Sequence, residues 1–248
     1  MNSRNKPIPL HTLNIRKHVI ICEWNYRAKL IYQELRNNFK RKKVPIVVIA
    51  DIEDEPIKND NNLFFIKGAV EKETLNEANI RKAETVVILG DENLDDTSRD
   101  AKVALSTLTV ENTYRQVYTI VELADERYFE LCQKAHADRI IVAGSNFRSH
   151  LVSSAVINNG ISDLVSYILT EQSKNQFYQI PVPSYYQGCA FINVLVEMRR
   201  CRQGTIIAIF QGTTGKIVTN PESKYELQKG DFLIVMTRNK SYFSRLSL

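Results

Sequence analysis

His18-Val19-Ile20-Ile21-Cys22-Glu23-Trp24-Asn25-Tyr26-Arg27-Ala28 decides the fold. Its first five residues are a short apolar, β-branched run, the pattern of a strand buried on both faces. Asn25 is a helix cap, and Ala28, Ile31, Tyr32 and Leu35 follow at helical spacing. The same alternation continues along the chain. Strands are expected at Ile46–Ala50 (closed by Asp51), Leu63–Ile66, Thr85–Leu89, Val117–Val121 (ending in Glu122) and Arg139–Val142. Helices are expected between them at Thr74–Asn79, Asp96–Leu108 and Tyr128–Ala135. Buried strands alternating with amphipathic helices predict an α/β fold, a Rossmann-like doubly wound parallel sheet. Right-handed crossovers put every strand's C-terminal end on one edge, where ligands of such folds bind.

After Ala143 the pattern changes. Phe147–Ile157 and Ile161–Leu169 read as a helix pair joined by Asn158-Asn159-Gly160, a turn and C-cap signal. Short strands follow at Phe177–Pro181, Thr205–Phe210, Lys216–Thr219 and Phe232–Met236, with hairpin chemistry at Gly212-Thr213-Thr214-Gly215. The expected organisation is a linker or arm at 1–16, a Rossmann-like lobe at 17–143, crossover helices at 144–176 and a smaller α+β lobe at 177–248.

Several function classes lack their residues. A dinucleotide fingerprint needs G-x-G-x-x-G after the first strand, and here those positions hold Glu23, Asn25 and Ala28. Glu23 would also set a carboxylate against a pyrophosphate. The four histidines are scattered, no G-x-S-x-G or HExxH occurs, and we expect no catalytic residue. The cysteines form no CxxC pair. The net charge of +5 is modest, and the basic cluster Lys40–Lys43 has no interleaved aromatics, so no nucleic-acid partner is expected. That cluster reads as solvated surface or as a contact for anionic lipid or a partner. No stretch has the ~18 apolar residues of a membrane span, and Met1–Lys17 lacks a signal-peptide core.

What remains is the strand-end edge. Glu23, Asn25, Asp51, Asp91 and Glu122 are the candidate ligand-binding residues. Asp91 and Glu122 are the candidate metal ligands, because carboxylates on neighbouring strand ends offer hard oxygens to a divalent cation such as Ca²⁺. Asp51 stands where an acid holds a ribose hydroxyl, which keeps an adenine nucleotide as the other candidate. Two arrangements are open for Asp51, Asp91 and Glu122. Converging without partners, they repel one another and a cation relieves the strain; alternatively each pairs with a nearby Lys or Arg.

Several motifs together resemble the RCK domain, the regulator of potassium conductance: His18-Val19-Ile20-Ile21-Cys22 with Trp24-Asn25, Asp96-Thr97-Ser98-Arg99-Asp100-Ala101, Ala137-Asp138-Arg139-Ile140-Ile141, the Ser145–Ser154 helix, and Gly230-Asp231-Phe232-Leu233-Ile234-Val235. The resemblance runs from Lys17 to Thr237. It implies a cytosolic module that senses an intracellular ligand and gates a potassium channel. It also implies homodimers formed through the crossover helices, with four dimers in an octameric ring beneath a membrane pore. In channel members the linker from the pore precedes the first strand, where Asn2–Arg16 lies, so the resemblance leaves two arrangements open, Met1 as an internal start behind a pore segment or a pore on a separate chain. A free-standing regulatory subunit of a potassium-uptake transporter and an NAD-dependent oxidoreductase are the alternatives. The calcium-gated family pattern has an acid ending strand four and Glu-x-Glu at strand five. Here those positions hold Leu89 and Glu122-x-Ala124, so only Glu122 is retained.

Overall fold

A computed structural model describes residues 15–38, 41–158, 160–169, 175–200 and 204–238. They form two compact units that divide between residues 159 and 160, inside the helix pair.

The first unit opens with β1 (Val19–Cys22), α1 (Tyr26–Asn37), β2 (Ile46–Ala50), β3 (Leu63–Lys67), α2 (Lys72–Glu77) and β4 (Thr85–Ile88). It continues with α3 (Asp96–Tyr114), β5 (Tyr118–Leu123), α4 (Phe129–Lys134), β6 (Arg139–Val142) and α5 (Ser145–Ile157). All six strands are parallel, in the order β3-β2-β1-β4-β5-β6. The order reverses between β1 and β4, so the switch point lies there.

The continuous apolar runs follow from cover on both faces. Ile20 and Cys22 pack with Val103, Ala104 and Val110 of α3, while Val19 and Ile21 pack with Ala28 and Ile31 of α1. The residues from Ile20 to Cys22 are fully buried. A solvent-facing alternation would have been wrong here, and none is present in the sequence.

Two boundaries differ from expectation for tertiary reasons. Helix α3 runs 19 residues, to Tyr114 rather than Leu108. Buried Val110 and Tyr114 hold its last turns, and the Tyr114 hydroxyl donates to Asn76 Oδ1 at 2.8 Å. Strand β5 continues to Leu123, so Glu122 lies inside the strand and not after it. Pairing with β4 stops at Val121, but β6 carries the ladder on through Glu122↔Ile141 and Leu123↔Val142.

The second unit contains α6 (Ile161–Leu169), β7 (Gln176–Pro181), α7 (Phe191–Arg200), β8 (Thr205–Phe210), β9 (Ile217–Thr219) and β10 (Phe232–Thr237). Its antiparallel sheet has the order β7-β10-β8-β9. Phe191, Val194 and Met198 of α7 pack on Ile180, Ile209, Leu233 and Val235. Asp231, buried before β10, accepts from Gly212 N, Gln228 N and the Tyr225 hydroxyl, which pins three turns to one carboxylate. No described helix is long and apolar enough to cross a membrane.

Candidate functional site

The strand-end edge at the β1/β4 switch point is built first from backbone. Glu23 leaves β1 at φ +73°, in the left-handed region that a glycine adopts without cost. The turn therefore keeps a glycine-type conformation although a glutamate occupies it. Its amide donates to Ile49 O at 2.8 Å. Asn25 caps α1, its Oδ1 accepting from Ala28 N at 2.9 Å, and its Nδ2 donates to Gly90 O at 2.8 Å. One side chain thus starts the helix and ties the end of β1 to the end of β4.

Charged side chains complete the edge. Lys102 Nζ, from the second turn of α3, lies 2.6 Å from Glu23 Oε1 and 3.1 Å from Asp91 Oδ2. Burial works against the charge on Asp91, but the Asn93 amide and Lys102 outweigh it and hold the carboxyl below its ordinary range. Burial likewise opposes the Lys102 charge, and Glu23 and Asp91 overcome it, so its pKa is raised. Arg27, on α1, places Nε 2.9 Å from Glu122 Oε2 and Nη1 3.6 Å from Glu92. The Arg27–Glu122 contact is short but not aligned: both atoms are buried without a directed hydrogen bond. Burial pushes the Glu122 carboxyl above its ordinary value, and the Arg27 and Arg99 guanidiniums only partly offset it.

A cleft of about 420 Å³ opens beside these groups, lined by Arg27, Gly90, Arg99, Glu122, Ala124 and Gly144 among others. A Cβ on Gly144 would overlap the Ala124 carbonyl oxygen, so only glycine lets the β5 and β6 ends approach this closely. Asp100, 1% exposed, holds the far wall: it accepts from Ala124 N at 2.9 Å and from Asp125 N at 2.9 Å.

The expected residues are therefore placed as follows. Glu23 and Asp91 meet through Lys102, while Glu122 sits with Arg27 one strand further on. Asp51 is exposed after β2, near Lys67. The carboxylates do not face one another uncompensated. Among the described residues no group of three or more His, Cys, Asp or Glu is gathered for a metal ion. The basic partners Arg27, Arg99 and Lys102 were not read from the sequence. Their signal is position: the first two turns of the helices that follow β1 and β4 overhang this edge, and Arg99 and Lys102 share a face at i, i+3.

The sequence and the fold have known counterparts. Residues 14–121 match the family described as the calcium-activated potassium channel slowpoke-like RCK domain. Over these residues the chain is similar to an RCK domain. The calcium-gated potassium channel TvoK of Thermoplasma volcanium is 28% identical over 230 residues, which are 91% of this chain and 64% of that protein. Potassium channel protein 1 of Methanocaldococcus jannaschii is 24% identical over 230 residues, 88% of this chain and 62% of that protein. The chain thus spans less than two thirds of either relative. The human SLO3 gating ring superposes with a TM-score of 0.70 at 16% identity, over 93% of this chain and 46% of that one, and shares its fold.

Proposed function

We propose that this chain is an RCK domain, the cytosolic gating module of a potassium channel, and senses a divalent cation at the strand-end edge. The observation that carries the reading is its likeness, over 91% of its length, to a channel described as calcium-gated. The chain binds rather than catalyses in this reading, works at the cytoplasmic face of the membrane, and couples to a pore in the same gene product or a partner chain. Homodimers form through α5 and α6, and four of them close an octameric ring.

The proposed sensor is an exchange site. Asp91, Glu122 and Glu23 are not gathered for a metal ion as they stand; in this reading a cation draws their hard oxygens together and displaces the bases that neutralise them. NAD in the usual Rossmann pose is disfavoured, because Glu23 aims a carboxylate where the pyrophosphate would lie.

The test is thermal stability of the purified chain with Ca²⁺, Mg²⁺, Na⁺, NAD(H), ATP and ADP. A ligand at a hundred times its Kd stabilises by about 2.7 kcal/mol. Ca²⁺ is expected to raise Tm, and Glu122→Gln to remove that rise. No response to Ca²⁺, or an equal response in the variant, would refute the assignment.

A further inference from the structure

The opposite edge of the same sheet carries the opposite charge. In a parallel sheet every strand starts on one edge, and β2, β1 and β4 are neighbours there. Three segments lead into them. Lys17 precedes β1 and donates its amide to Lys82 O at 2.8 Å, which joins the first segment to the third. Arg41, Lys42 and Lys43 lead into β2, and Arg81 and Lys82 lead into β4. The one carboxylate in these segments is Glu84, which pairs with Arg41 at 2.8 Å. Lys17, Lys42, Lys43, Arg81 and Lys82 are all exposed.

Ordinary helix-end charge does not explain the cations ahead of β2. Cations complement a helix C-terminus only within its last turn. On α1 that position belongs to Arg36, which is already bound to Asp60 at 2.6 Å. Lys42 and Lys43 lie beyond the end of the helix. The starts of β2, β1 and β4 therefore form a basic stretch of this edge.

We propose that the strand-start edge is a docking surface for anionic lipid headgroups. A flat array of Lys and Arg fits such a membrane, whose negative potential falls off over about 10 Å. The choice of a membrane over another polyanion rests on the gating-module reading. Under it, a pore linker would reach β1 at this edge and turn the edge towards the bilayer. No aromatic is interleaved in these three segments, and Tyr114, beneath the Arg81 guanidinium, is buried, so no ring is offered for stacking on nucleic-acid bases.

The experiment is co-sedimentation of the purified chain with phosphatidylglycerol–phosphatidylcholine vesicles. Each cation near an anionic surface contributes about 1 kcal/mol. The triple variant Lys42→Gln, Lys43→Gln, Lys82→Gln is therefore expected to weaken binding roughly a hundred-fold. Raised salt should release the wild type, and pure phosphatidylcholine should not retain it. The control is Lys216→Gln, Lys224→Gln, Lys229→Gln in the second unit, which removes the same charge elsewhere and should bind as wild type. Equal weakening by both triples would reduce the effect to net charge and overturn the proposal. So would wild-type binding that ignores salt or lipid charge, or a DNA oligonucleotide that binds more tightly than the vesicles and is lost with the first triple. Vesicle binding needs neither pore nor Ca²⁺, so its failure would leave the thermal-shift result standing.

Discussion

Glu23 offers a measurement of stored backbone strain. A residue with a Cβ in the left-handed region costs about 1–2 kcal/mol, and Glu23 sits at φ +73°. Its pair with Lys102 works in the other direction. That pair is short, 2.6 Å, but Lys102 is 36% exposed, so it contributes at most about 1 kcal/mol. Glu23→Ala keeps the strain and loses the pair, and should cost about 0.5–1 kcal/mol. Glu23→Gly also loses the pair but removes the strain, and gives back about 0.4–1 kcal/mol to the freer unfolded chain. The two effects nearly cancel, so Glu23→Gly should sit close to wild type and about 1 kcal/mol above Glu23→Ala. Two units need not unfold together, which calls for a local probe. The chain's one tryptophan, Trp24, adjoins the turn and packs on the first unit's core. Urea titration followed by Trp24 fluorescence therefore reports the right lobe. If glycine is no more stable than alanine, the left-handed turn stores no strain and the reasoning fails.

Asp100→Ala removes a buried acceptor from two backbone amides and should destabilise the first unit by roughly 3 kcal/mol in the same assay. His18 is fully buried, its Nε2 donating to Ala78 O at 2.8 Å while Nδ1 has no partner. Burial lowers its pKa, and the Ala78 bond opposes this only in part. The unfolded chain then takes up the proton first. Stability should be level above pH ~6.5 and fall below it by up to about 1.4 kcal/mol per pH unit, and His18→Gln should flatten that slope. Val152, Val156 and Ile157 of α5 are 66%, 79% and 77% exposed, and Leu164 of α6 is 52% exposed. Light scattering should show a dimer at micromolar concentration, and Val156→Glu should shift it towards monomer.

Much of the first lobe is legible in the sequence because its sheet is covered on both faces. That constraint makes VIIC, IVVIA and TVVI read as strands with no long-range information. Asn25 is legible for a local reason, since its cap bond spans three residues. Glu122 is not: its place inside β5 depends on a ladder with β6, some twenty residues on. Lys102 is a surface residue on any helical wheel, and only the β1–β4 adjacency brings it to Glu23. Helix α7 is different, because its signal is present. Phe191, Val194, Leu195 and Met198 keep helical spacing, yet the strands on either side invite an all-strand reading. Glu23 inverts the usual inference. The missing glycine excludes a fingerprint, but the backbone still makes the glycine turn.

These contacts bear on how a ligand at this edge could be read out. Glu23 and Arg27 belong to the β1 half of the sheet, and Lys102, Asp91 and Glu122 to the β4 half. Lys102 reaches back from the second half to Glu23, and Arg27 reaches forward from the first half to Glu122. Asn25 bonds Gly90 across the same line. The edge is thus a clasp between two half-sheets, with helices on opposite faces supplying its arms. Under the proposed function, a cation bound by Asp91 and Glu122 would compete with both arms and free Lys102 and Arg27 together. Its effect is then the difference between its affinity for the clasped and the unclasped edge, and tight binding to both alike would move nothing. A ten-fold preference is worth about 1.4 kcal/mol per site, and the coupled sites of the proposed ring would compound it into a steep response. The arms also set the sign: charge-reversed Lys102→Glu should weaken the clasp without ligand, and with it the step that a cation adds.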